Sequence, residues 1–133
     1  MATKPYPLEA LRGERARDAR DKTIDLAGAI AAANDAEARA AAAAARADRA
    51  ASALRDLIAA GARASAIALA DRHASLMRRR AQLARAESSR AAAIVAAAQG
   101  SLTDARGRAK VVDNHHDRWR TDQARARDRN SDD

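Results

Sequence analysis

"LRDLIAAGARAS", residues Leu54 to Ser65, is the stretch on which the fold turns. An apolar run of good helix formers stops at Ala60, a glycine follows, and a second helical pattern opens within a few residues. Glycine in that place reads as a helix C-cap, because it enters the left-handed region without the Cβ clash that other residues meet. Punctuation elsewhere is sparse. Pro5 and Pro7 flank Tyr6, and Pro7 suits the first turn of a helix, where its missing N–H would be unpaired in any case. Gly13 and Gly28 lie inside helical pattern. Gly100 is the rival break, since Ser101 stands three residues before Asp104 in a capping-box-like "GSLTD".

Working outward from this turn, periodicity supplies a seam on each side. Before it, a 3,4 spacing threads Ala16, Ala19, Thr23, Leu26, Ile30, Ala33, Glu37, Ala40, Ala44, Ala47, Ala51, Leu54 and Ile58, with Glu37 the one charged intruder. After it, Leu69, Leu76 and Leu83 recur at seven. A four-residue stutter near Glu87 to Val95 then leads into Val95, Ala98, Leu102, Ala105, Ala109, Val112, His116 and Trp119. The later seam crosses Gly100 in phase. Folding the chain over at Gly61 to Ser65 sets residue i opposite roughly 125 minus i, a register that follows from antiparallel pairing at constant rise. Ile58 then faces Ile67, Ile30 faces Val95, and Leu8 and Leu11 fall beside Val112, His116 and Trp119. The expected fold is all-α, two long helices forming an antiparallel coiled-coil hairpin. A short N-terminal tail spans 1–7, the hairpin 8–129 with its turn near 61–65, and a disordered C-terminal tail 130–133.

Composition agrees with this architecture. A chain of 133 residues with no Phe, no Cys and 2% aromatic residues has little from which to build a globular core. Most of its 47% hydrophobic content is alanine, which favours helix but buries little apolar area. Small seam residues compensate by letting two helices approach closely, so that dispersion contacts accumulate. The lack of cysteine rules out a disulfide framework and suits a reducing compartment. The start, "MATKPYPLEALRGER", has no apolar signal region, and no charge-free span reaches the length of a membrane helix, so neither secretion by a signal peptide nor direct membrane insertion is expected.

The net charge of +7 invites a nucleic-acid reading, but the 18 acidic residues are interleaved with the 25 basic ones. Stretches such as "RGERARDARDK" read as solvated helix faces with pairs at i,i+3 and i,i+4. The best run for an Arg-rich nucleic-acid helix is "RHASLMRRRAQLARAESSR", which is itself interrupted by Glu87. No specific nucleic acid is expected as a partner.

Catalysis and metal binding fail by inventory. No glycine-rich phosphate loop ends in a GK[ST] pattern, and no nucleophile, base and orienting partner can be assembled on one hairpin. The run "KVVDNHHDRWRTDQARARDRN", Lys110 to Asn130, holds two of the three histidines and the only tryptophan. Adjacent histidines cannot share one helix face, and His73 lies near the other end of the hairpin. Asp113 and Asp117 flank His116 as oxygen donors, yet the simpler reading makes His116 a seam residue and Trp119 an apolar anchor, with His115, Asp113 and Asp117 outward. Neither an enzyme nor a cofactor is expected.

The opening "YPLEALRGERARDARDKTIDLAGAIAAAND", the central turn, and a second helix ending "ARGRAKVVDNHHDRWRTDQARARDR" together resemble the central stalk of the type III secretion export ATPase, the FliJ/YscO-like family. The resemblance spans about the whole length and rests on layout. It implies a cytoplasmic protein at the base of a membrane secretion apparatus, whose terminal coiled-coil end enters a hexameric export ATPase. That end would carry Leu8, Leu11, Arg12, Arg15, Val112, Trp119 and Arg120. The turn-proximal section would present Leu76, Met77, Arg78, Arg79 and Arg80 to an export gate protein or to secretion chaperones. The competing readings are a plain coiled-coil scaffold and an Arg-rich helical nucleic-acid binder.

Overall fold

A computed structural model describes residues 4–132. It contains two α-helices, α1 over Glu9–Ala59 and α2 over Ala64–Ser131, paired as an antiparallel hairpin. Asn130 and Ser131, expected in the C-terminal tail, belong to the last turn of α2, where the Ser131 hydroxyl donates to the Asp128 carbonyl. Of the two expected tails, Met1–Thr3 and Asp133 lie outside the described residues. Gly100 does not break α2.

The turn is built as the sequence reading requires. Gly61 has φ of 69°. Its N–H donates to the Ile58 carbonyl at 3.1 Å, and the Ala62 N–H donates to the Leu57 carbonyl at 3.0 Å. Those two bonds are the paired closure of a Schellman motif, whose C3 and C″ positions, Leu57 and Ala62, are both half-buried. The connection is shorter than the expected 61–65, since α2 already begins at Ala64.

The chain divides into two compact units, one formed by 28–96 around the turn and one by 1–27 with 97–133. In the turn unit, the residues shielded from solvent along α1 are Ala29, Ala33, Ala36, Ala40, Ala43, Ala44, Ala47, Ala50, Ala51, Leu54 and Leu57. The expected seam holds at Ala33, Ala40, Ala44, Ala47, Ala51 and Leu54, which are half-buried, and is corrected where it drifts off the interface. Thr23, Ile30, Glu37 and Ile58 are exposed, while Ala36, Ala43 and Ala50 are the buried residues of α1. The shift removes the anomaly at Glu37, which stands outside the seam and faces solvent.

The same correction applies to α2. From Ile67 the shielded positions run Ala70, Ala74, Met77, Ala81, Ala84, Ser88, Ala91 and Val95 at unbroken 3,4 spacing. The expected stutter between Glu87 and Val95 does not occur. Leu69, Leu76 and Leu83 are 67%, 37% and 65% exposed and lie off the seam. The centre of the unit is a cluster of Ala50, Ala74 and Met77 with Ala47 and Leu54 packed against it. Three alanines and one methionine allow an approach that a leucine seam would prop apart, and methionine's flexible thioether fills the remaining space. The pairing register is nevertheless the expected one. Ala40 and Arg85, and Glu37 and Ser88, line one groove between the helices, and the numbers of each pair sum to about 125.

In the unit that contains the chain ends, α2 follows the expected seam throughout. Leu102, Ala105 and Val112 are buried, and Ala98, Ala109, His116 and Trp119 are half-buried. On α1, Ala16, Ala19 and Leu26 are half-buried as expected. Tyr6, ahead of α1, joins this core at 7% exposure.

Candidate partner-binding site

Pro5 and Pro7 restrict the segment that enters α1, and the Glu9 N–H donates to the Tyr6 carbonyl at 3.2 Å. This folds the segment back so that the Tyr6 ring lies over α2. Its ring meets His116 edge-on at 76° with centroids 4.7 Å apart, and Trp119 at 57° with centroids 5.3 Å apart. Trp119 and His116 stand three positions apart on α2 and stack at 23°, centroids 6.2 Å apart. Edge-on and tilted pairs of this kind are favoured by ring quadrupoles.

The Tyr6 hydroxyl lies 2.6 Å from Nδ1 of His115. With that imidazole neutral and its proton on Nε2, the phenol donates. His115 thus points outward, as its helix position requires, and still holds the phenol at the edge of the cluster. His116 is oriented differently. Its Nδ1 is buried, makes no hydrogen bond among the described residues, and lies 3.9 Å from Asp117 Oδ1. Its ring is engaged through its faces and edges by Tyr6 and Trp119. Among the described residues no group of three or more His, Cys, Asp or Glu side chains is placed to hold a metal ion.

One turn into α1, Arg12 Nε donates to Asp113 Oδ1 at 3.0 Å, and its Nη1 lies 3.7 Å from Glu9. The Asp113 hydrogen bond, followed by the nearby charge of Glu9, raises the guanidinium pKa above its ordinary value. This pair pins α1 to α2 at the register that also sets Tyr6 opposite Trp119.

Beside the aromatic cluster is an open cleft of about 910 Å³. Tyr6, His116 and Trp119 supply its apolar wall, and its charged lining is mixed, with Lys4, Arg120 and Arg127 beside Glu9 and Asp117. The arrangement can accept an apolar or aromatic group with polar neighbours of either charge.

The residues expected at this end are distributed unevenly. Val112 is buried, and Leu11, Arg12, Arg15 and Trp119 are half-buried. Leu8 and Arg120 are exposed. Trp119 and Arg120 both line the cleft, whereas Leu8 and Leu11 do not. Of the second group, Leu76, Arg78, Arg79 and Arg80 are exposed, but Met77 is a correction: at 7% exposure it belongs to the core cluster and has no free surface to present. Arg78 follows Met77 on the side of α2 away from Leu76, so the group does not form one patch.

Tyr6 is the site residue that sequence reasoning passed over. The signal was present, because Tyr6 and Trp119, the only tyrosine and the only tryptophan, are complementary in the antiparallel register. Among the described residues no helix is long and apolar enough to cross a membrane. The chain matches no family model, no curated protein and no solved structure.

Proposed function

We propose that this chain is the central stalk of a type III secretion export ATPase, inserting the unit that contains both chain ends into the hexameric ring. The support is the resemblance of layout joined to one observation: the chain's aromatic side chains gather in that unit, beside an open cleft lined by charges of both signs. A non-catalytic partner protein has use for such a feature, since a rigid aromatic anchor beside unpaired charge is the composition of an interface hot spot. In this reading Trp119 and Arg120 contact the ring, and Arg12 positions α1 against α2. Leu76, Arg79 and Arg80 form the turn-proximal surface for a gate protein or chaperones. The chain hydrolyses nothing itself and works in the cytoplasm at the base of the secretion apparatus.

The test uses the cognate ATPase. Turnover rises when the wild-type chain is added, and rises less with Arg120→Glu, an exposed change that leaves helicity intact. Trp119 is the only tryptophan, so its emission reports occupation of the cleft directly. A wild-type chain that neither binds the ring nor alters its rate removes the stalk reading and leaves the scaffold reading in its place.

A further inference from the structure

Leu69, Leu76 and Leu83 recur every seven residues along α2, and all three are exposed. Seven residues are close to two helical turns, so they form a single line about 21 Å long. Side chains three and four positions away are the nearest neighbours on a helix surface. Arg72 and His73 therefore lie between Leu69 and Leu76, and Arg79 and Arg80 between Leu76 and Leu83. From α1, Arg46 and Arg49 line a groove of about 300 Å³ together with His73 and Met77. None of Arg46, Arg49, Arg72, Arg79 and Arg80 is in an ion pair among the described residues.

We infer that this ladder is the docking face for an acidic amphipathic helix of a partner protein, its apolar residues set at heptad spacing and its flanks carrying Asp or Glu. The inference rests on the turn-proximal surface being a partner-binding surface, and it names the chemistry of that partner.

Three features select this occupant. The heptad interval of the leucines matches the repeat of a second helix packed alongside. Unpaired arginines on both sides of the line call for carboxylates, and guanidinium–carboxylate pairing is geometrically specific. A second copy of the chain would bring the same arginines against their own kind, which disfavours self-pairing on this face. A lipid surface needs a broad apolar face, and this one offers a single leucine per heptad between cations. Duplex DNA would use the arginines but has no use for regularly exposed leucines.

The test uses the full chain and a fluorescein-labelled peptide of about three heptads, with leucine at each a position, alanine at d, and glutamate at e and g. The acidic peptide binds in physiological salt, and its lysine counterpart does not. The double change Leu69→Ala with Leu83→Ala weakens binding by about tenfold or more, and Arg79→Glu with Arg80→Glu abolishes it. Helicity by circular dichroism stays at the wild-type level in both variants. Ring stimulation by the Leu69→Ala, Leu83→Ala variant is unchanged, which separates this surface from the ring-binding end. If the ring response stands while the acidic peptide fails to bind, or binds regardless of the leucines, the inference falls and the stalk reading survives. Equal binding of the lysine peptide also overturns it. So does preferential, leucine-independent capture of duplex DNA, preferential capture by anionic phospholipid vesicles, or leucine-dependent dimerisation of the chain alone in sedimentation.

Discussion

The Tyr6 hydroxyl sits 2.6 Å from His115 Nδ1, although 109 residues of chain separate the two. One side chain from the segment ahead of α1 thereby ties that segment to α2 by a hydrogen bond at its tip and by ring packing along its length. The two contributions separate by mutation. Tyr6→Phe removes only the hydrogen bond and costs about 1 kcal/mol, because a partly exposed pair exchanges with water. Tyr6→Ala also removes the packed ring and costs about 3 kcal/mol, within the range for truncating a buried aromatic residue. Urea unfolding followed by circular dichroism measures both. Equal losses would mean that the ring packing contributes nothing.

The seam makes Ala50 a sensitive position and the exposed Leu83 a tolerant one. Ala50→Leu, placed in the cluster with Ala74 and Met77, costs about 1–3 kcal/mol by overpacking. Leu83→Ala, on the exposed ladder, costs about 0.5 kcal/mol or less. Thermal melts of the two variants rank them. The opposite order would restore the leucine line to the seam.

One substitution has opposite signs at two glycines. Gly61 holds φ at +69°, so Gly61→Ala costs about 1 kcal/mol or more even though the added Cβ meets no atom within 4 Å. Gly28 is helical with the same open surroundings, and Gly28→Ala stabilises by about 0.5–1 kcal/mol. Melting temperatures moving in opposite directions check the pair.

Arg12 and Asp113 form a pair that can be inverted. Arg12→Asp sets two carboxylates against each other and lowers the melting temperature of the unit, and adding Asp113→Arg restores part of the loss. The guanidinium pKa is raised by the Asp113 hydrogen bond, so Arg12's contribution is fully present below the ordinary arginine range and lost only above it. Titration of Arg12 therefore adds no pH dependence to stability between pH 5 and pH 9, and added salt weakens the pair throughout that window. A double-mutant cycle at low and high salt measures the coupling.

Helix content and the place of the turn were legible in the sequence. So were the pairing register and the α2 seam from Val95 onward. Each rests on a local rule: alanine favours helix, only glycine closes a helix cheaply at positive φ, and a single turn position sets the antiparallel register. The site was half legible. Trp119 falls on the α2 seam as its position suggested, the cleft beside it that Arg120 also lines was not foreseen, and Met77, expected at a surface, is core.

What the sequence determined, then, is the hairpin and its register, because these depend on residue types at single positions. Which stripe is buried was decided only by the tertiary structure. The run Ala40–Ala45 is six consecutive alanines and has no apolar phase, so periodicity there is consistent with more than one seam. Hydrophobicity alone favours Leu69, Leu76 and Leu83 for the interior. Packing reverses that order at the centre of the turn unit, where Ala74, Ala50 and Met77 form the buried cluster and small side chains allow dispersion contacts that bulkier ones at the same positions would disrupt. The leucines, whose seven-residue line the sequence displays, are left outside as a consequence, an exposure that no local rule of helix formation could have given.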